Sequence, residues 1–265
     1  MIIFLASLIF FSSHSFACAF NKNIKSVYSL SGPVTLALKD LGLIKSKTLK
    51  GVSIFHPVSK TEFGGKFLPG GVFLSHNAIK DFKGSVVFYD ESRELTRIFS
   101  RYEDIKAIEI KSRSITPLEV MAKLESDLAP YLSRCDLFGL SKKLKQRQEY
   151  LKALVPKNMT LLFFLGLIQG EKYPDLLMVN DGIVKWLVQE KLINTYPSEL
   201  PYVNWSAKIM QTMSGDAVKV GLKDSGNSLE TKMNRNGNVV NLTYPGSLIP
   251  GSGQVEAMIY LFNNF

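Results

Sequence analysis

The sequence predicts an α/β protein of two βα lobes, each with a mainly parallel sheet, joined by a single long helix. Three observations predict it. Strand-like and helix-like stretches alternate through both halves of the 265 residues. A proline-free stretch from Asp136 to Val155 sits between the halves, with Leu137, Leu140, Leu144, Leu151 and Leu154 along one stripe. And a thirteen-residue pattern, SHNAIKDFKGSVV from Ser75, has a counterpart, SAKIMQTMSGDAV from Ser206, on the far side of that stretch.

Taken in order, residues 2–11 (IIFLASLIFF) are apolar but too short to span a bilayer comfortably. Ser15-Phe16-Ala17 supplies a small-x-small cleavage pattern. Residues 1–17 therefore read as a signal peptide, although no Lys or Arg precedes the apolar run, and the mature chain is expected outside the cytoplasm, in the periplasm. All of the formal net charge of +9 then belongs to the mature protein. Apart from Lys142-Lys143-Lys145-Arg147 it is spread along the chain without runs, and no nucleic-acid motif accompanies it. Cys18 and Cys135 are the only cysteines, and outside the cytoplasm two thiols tend to pair. A lipid on Cys18 is the competing fate.

SVYSLSGPVTLALKDLGL, from Ser26, is a strand that turns on Ser-Gly-Pro straight into a helix. Such a junction aims backbone N–H groups and the hydroxyls of Ser29 and Ser31 at a polar or anionic group. GVSIF (51–55) is a strand, EFGGKFLPGG a glycine-rich loop, SHNAIKDFK a short helix, SVVFYD (85–90) a strong strand, SRELTRIFSRY a helix and IKAIEI (105–110) a strand. Thr116-Pro117-Leu118-Glu119 is a helix start, with Thr116 as N-cap and proline at the first position. The leucine-striped helix follows; at 1.5 Å per residue it should run about 27 Å before Pro156. TLLFFLGL (160–167) is apolar throughout, like a buried parallel strand, DGIVKWLVQEKLI is a helix, AVKVGL and NVVNLTY are strands, and GSGQVEAMIYLFNNF is a closing helix. The expected divisions are 18–134 for the first lobe, 135–156 for the linking helix and 157–265 for the second lobe.

The candidate binding residues fall at strand ends and loops. His56, His76, Tyr89 and Glu91 belong to the first half, and Tyr202, Trp205, Arg235 and Tyr244 to the second. Aromatic walls suit planar or macrocyclic ligands, and an arginine can meet a carboxylate bidentately. Their spacing fits no compact metal motif. No nucleophile elbow, phosphate loop or triad signature appears, so the residues predict binding without an enzyme's chemistry and without a cofactor.

These stretches resemble a known family. SLSGPVTLALKDLG, LSHNAIKDFKGSVVFYDES, NWSAKIMQTMSGDAVKVG and GSGQVEAMIYLF are similar to the conserved segments of the helix-linked, class III substrate-binding proteins of ABC importers. That family carries ferric siderophores, haem, cobalamin and metal ions. The resemblance implies a monomer that holds its ligand between lobes, with Ser29 to Pro33 facing the cleft and only a small lobe motion. It also implies a permease partner, yet the carboxylates used for docking would fall at Leu36 and Lys208, where none stands. The expected function is thus capture of an iron chelate, haem or corrinoid-like ligand. The alternatives are an envelope interaction protein without transport, or a receptor for a bare metal ion.

Overall fold

The computed structural model describes residues 18–69, 74, 76–157, 159–170, 172–206, 209 and 216–265. The expected signal peptide lies outside them, as does most of the second copy of the thirteen-residue pattern.

A short strand, β1 (Ala19–Phe20), opens the chain, followed by β2 (Val27–Leu30), α1 (Gly32–Asp40), β3 (Leu49–Ser53), β4 (Lys66–Leu68), α2 (His76–Lys80), β5 (Val86–Asp90), α3 (Arg93–Phe99) and β6 (Lys106–Ile110). The five strands β4-β3-β2-β5-β6 form one sheet, in that order, with every pairing parallel. Parallel neighbours need crossovers, and α1, α2 and α3 supply them on the sheet's two faces. Then come α4 (Pro117–Leu128), β7 (Leu132–Ser133) and the long helix α5 (Phe138–Leu154). Glu119 accepts hydrogen bonds from the Thr116 N–H at 2.6 Å and its hydroxyl at 2.7 Å, which fixes the start of α4.

The second half holds β8 (Met159–Leu165), β9 (Leu176–Met178), α6 (Gly182–Gln189), β10 (Ile193–Asn194), β11 (Tyr202–Asn204), β12 (Val218–Asp224), β13 (Lys232–Asn236), β14 (Val239–Tyr244) and α7 (Ser252–Asn263). Its sheet runs β11-β9-β8-β12-β14-β13. The inner pairs β8–β12 and β12–β14 are parallel, whereas β9, β11 and β13 are antiparallel additions. The fold is therefore α/β with mainly parallel sheets. The sequence reading had no strands at 176–178, 202–204 or 232–236.

The central strands show both faces to apolar partners. In β2, Val27 packs toward α1 and α4, while Tyr28 and Leu30 face Phe82, Leu95 and Phe99. In β8, Leu161 and Phe163 join the same core as Val27, and Leu162 and Phe164 face the opposite way. That period of two fills two layers from one apolar run. The layer containing Val27 does not stop at the lobe boundary. It continues through Leu140, Leu144 and Leu151 of α5 to Ile183, Val220 and Leu261. The linking helix is thus part of a shared core, packed on α4 and α7, rather than a bare rod. Lys143 pairs with Asp40 of α1 at 2.9 Å, and Arg147 with Glu256 of α7 at 2.6 Å between Nε and Oε1, so its polar side also meets both halves.

Cys18 and Cys135 are joined by a disulfide, closing 117 residues of chain and fastening β1 beside β7 at the foot of α5. Replacing both with serine is expected to cost about 2–4 kcal/mol, because a long closed loop removes much entropy from the unfolded chain. Denaturant melts of the wild type and the double serine variant, each in its own redox buffer, check this.

Candidate functional site

A cavity of about 1150 Å³ lies between the lobes. It opens at the C-terminal ends of β2, β3, β5 and β12, where the crevice of an open parallel sheet is expected to take a ligand. One wall consists of the turn into α1, the loop after β3 and the residues after β5. The other is the turn at Asp224–Asn227 with Leu248, Ile249 and Pro250.

The first wall is set by a chain of hydroxyls. Ser31 caps α1, its oxygen accepting from the Val34 N–H at 3.4 Å. The Ser29 hydroxyl lies 2.8 Å from that of Thr35, which lies 2.7 Å from Nδ1 of His56. Ser29 and Ser31 are fully buried, so they position the turn instead of touching a ligand. His56 lines the cleft with 6% of its surface exposed. Burial lowers its pKa to about 3, which keeps the ring neutral. Asp90 ends β5, and its Oδ2 accepts from the Gly32 N–H at 3.2 Å at the start of α1. Its Oδ1 is buried without a partner among the described residues. Burial raises the Asp90 pKa, against the opposing pull of Ser31, Gly32 and the Arg113 guanidinium.

Asp224 organises the second wall. Its Oδ1 accepts from the N–H groups of Gly226 at 2.8 Å and Gly246 at 2.9 Å. Burial still outweighs these bonds and raises its pKa. Gly226 has φ +53°, and a Cβ there would sit 3.2 Å from the Phe55 carbonyl oxygen, so a side chain would push the walls apart where they touch. Phe55 itself is 55% exposed on the cleft rim, unusual for a phenylalanine. Arg93 and Arg113 line the same space, both exposed, and neither has an ion-pair partner among the described residues.

Of the sequence candidates, the structure brings His56 and Glu91 to this cleft, together with the Ser29–Pro33 turn. The rest are elsewhere. Tyr89 is buried on the far face of its sheet, its ring 5.1 Å from Phe99 and its hydroxyl 3.3 Å from that of Thr96. Trp205 packs 5.1 Å from both Phe164 and Tyr173, as a satellite core of the second sheet. Tyr202 donates to Asp181 at 2.6 Å, and burial and that carboxylate raise its pKa. Arg235 hydrogen-bonds the Phe265 carbonyl and covers that ring at 4.5 Å. Tyr244 faces a smaller cavity of about 420 Å³ behind the cleft, beside Tyr260. None of these five lines the cleft. The His76 side chain lies outside the described residues. Leu36 is half-buried and lines the 420 Å³ cavity with Met121 and Leu144; Lys208 lies outside the described residues. Arg93 and Arg113 were missed, and Asp90 was considered only as a metal ligand beside Tyr89 and Glu91. Asp90 and Arg93 flank Glu91 after a strong strand, and that adjacency was the available signal.

Among the described residues no group of three or more His, Cys, Asp or Glu side chains could hold a metal ion. No protein-family model matches the chain, and neither does any curated protein sequence. Solved structures do. The periplasmic heme-binding protein HutB of Vibrio cholerae superposes with TM-score 0.67 at 15% identity, covering 91% of this chain and 98% of that one. The periplasmic heme-binding protein RhuT of Roseiflexus sp. RS-1 gives 0.60 at 16%, covering 91% and 97%. The periplasmic vitamin B12 binding protein BtuF of Vibrio cholerae gives 0.61 at 12%, covering 91% and 98%.

Proposed function

We propose that this chain, which has the two-lobed, helix-linked fold of the class III periplasmic binding proteins, is an extracytoplasmic solute-binding protein that holds a large anionic ligand in its cleft. The observation that carries the reading is a cavity of about 1150 Å³ flanked by Arg93 and Arg113, neither in an ion pair among the described residues, although Asp90, Glu91 and Asp224 line it as well. Ordinary small-molecule pockets run from about 300 to 1,000 Å³, so the space suits a chelate or macrocycle better than a single ion or sugar. Phe55, Ile54 and Leu248 offer apolar area for the body of such a ligand, and Arg93 and Arg113 offer bidentate donors for its carboxylates. Haem, a ferric siderophore or a corrinoid fits this description. The buried neutral His56 and the Asp224 staple shape the walls; the protein holds and releases its ligand without transforming it. An ABC permease is the partner such a role calls for, with the Cys18–Cys135 protein located in the periplasm.

Titration calorimetry against haem, ferric siderophores and cobalamin, beside zinc and manganese salts, tests the reading. One of the organic ligands should bind at one per chain. Arg113→Ala should weaken it about 10- to 100-fold, the scale of losing a charge-assisted hydrogen bond. Trp205→Ala should leave affinity unchanged while lowering the melting temperature. Binding of zinc or manganese alone, indifferent to Arg113→Ala, would replace this reading with a metal receptor. No binding to any of them would favour an envelope interaction protein.

A further inference from the structure

The sequence reading treats the positive charge as diffuse, but the fold gathers part of it. Between Lys45 and Lys66 the chain carries five lysines and a single acid, Glu62. Lys66 is paired with Asp81, and Glu62 is taken by Lys39 and the Ser59 backbone. Lys45, Lys47 and Lys50 are exposed and have no ion-pair partner among the described residues. The three surround one recess of about 330 Å³ at the β3–β4 side of the first lobe. No carboxylate lines it. Its floor is Ile44, Leu49 and Phe63, all buried. Ser46 lines it too, and its oxygen accepts from the Thr48 N–H at 3.3 Å, which leaves the hydroxyl proton free to donate outward. The loop closes over this floor because Gly65 has no side chain: a Cβ there would lie 2.3 Å from the Phe63 ring and 2.8 Å from the Lys50 carbonyl oxygen.

Three like charges line one hollow, and repulsion between exposed charges is screened only beyond a Debye length of about 8 Å at physiological salt. Lys39, Lys66, Lys83, Lys123, Lys143 and Lys152 are relieved by aspartate or glutamate; no carboxylate lines this recess. A group with several acceptor oxygens and more than one negative charge, or one negative charge in a dense array, removes the repulsion and uses every donor. We infer that the recess formed by Lys45, Lys47, Lys50 and Ser46 is a phosphate-binding site, separate from the cleft, that takes a phosphate group on a larger molecule. The same chemistry is offered by a free phosphorylated molecule and by the headgroups of an anionic lipid surface.

Two probes distinguish the sources. Inorganic pyrophosphate is titrated into the intact protein by NMR, and sedimentation is measured with vesicles of phosphatidylglycerol against vesicles of phosphatidylcholine. Binding at low salt is expected to fall roughly a hundredfold in K45Q/K47Q/K50Q, on the scale of about fivefold per lysine near an anionic surface. The variant K142Q/K145Q/K152Q, which removes the same charge from α5, should lose little. Pyrophosphate shifts centred on residues 44–50 and 63–65 would assign a soluble phosphate; vesicle binding without pyrophosphate shifts would assign a lipid headgroup. Both support the site. Failure of both probes to bind, or equal losses in the two triple variants, would overturn it, since the second result means bulk charge alone. Equal melting temperatures of the two variants guard against unfolding, and neither result depends on what the cleft binds.

Discussion

Lowering the pH from 7 to 4 is expected to remove roughly 3 kcal/mol of stability through His56 alone. The imidazole is fully buried and its pKa falls from 6.5 to about 3 for lack of solvation. The unfolded chain therefore takes up a proton near pH 6.5 that the folded chain refuses until about pH 3. Across that window the unfolded state binds more protons, so stability drops as the pH drops, by about 1.4 kcal/mol per unit. Asp90 and Asp224 act with the opposite sign, because burial raises their pKa values and the folded chain accepts their protons first. His56→Asn keeps a polar partner for the Thr35 hydroxyl and deletes the titration. Urea melts of both proteins from pH 7 to 4 should converge: the variant starts less stable and loses less. A constant gap between the two across that range would mean that His56 does not control the acid response.

The same residue shows what the sequence could and could not reveal. His56 follows a strand-like run, and that was enough to place it at the end of β3 beside the cleft. Its hydrogen bond to Thr35, 21 positions away, follows from the packing of α1 on the sheet and has no local signature. Elements with strong periods were legible: the apolar run that became β8, the leucine stripe of α5, and the Thr-Pro-x-Glu start of α4. β13 was not, because Lys-Met-Asn-Arg-Asn has one apolar residue and earns its pairing only from β14 across a two-residue turn. Aromatic residues misled in a consistent way. Trp205 and Tyr202 stand beside loops, which suggested a binding rim, but Phe164 and Tyr173 had an unfilled apolar face that Trp205 covers. Residue type identified groups able to bind; only the fold decides which of them found a partner at home. Arg93 and Arg113 are cleft candidates for the reverse reason, having no ion-pair partner among the described residues, and lysines 45, 47 and 50 form a patch because the turn after α1, the start of β3 and a glycine loop line one recess.

Leu144→Pro is expected to be the most damaging single change argued from this structure. Proline in a helix interior costs about 3 kcal/mol or more, by removing a hydrogen bond and clashing with the preceding turn. Leu144 is also buried, and truncating a buried leucine adds about 2–5 kcal/mol. The sum rivals the whole stability of an ordinary domain, about 5–15 kcal/mol. If the helix were only a bridge, breaking it would uncouple two intact lobes. The continuous core argues for a different outcome: Leu140, Leu144 and Leu151 lie in the same apolar layer as Val27 and Phe88 on one side and Phe163 and Leu261 on the other. Breaking the helix there opens both lobes at once. The variant should therefore melt in one transition at a much lower denaturant concentration, with tryptophan fluorescence and far-ultraviolet circular dichroism falling together. Both tryptophans, Trp186 and Trp205, report on the second lobe, while the dichroism reports on both. Two separated transitions, the fluorescence surviving to wild-type denaturant levels, would show that the lobes are independent and that the shared layer contributes little to cooperativity.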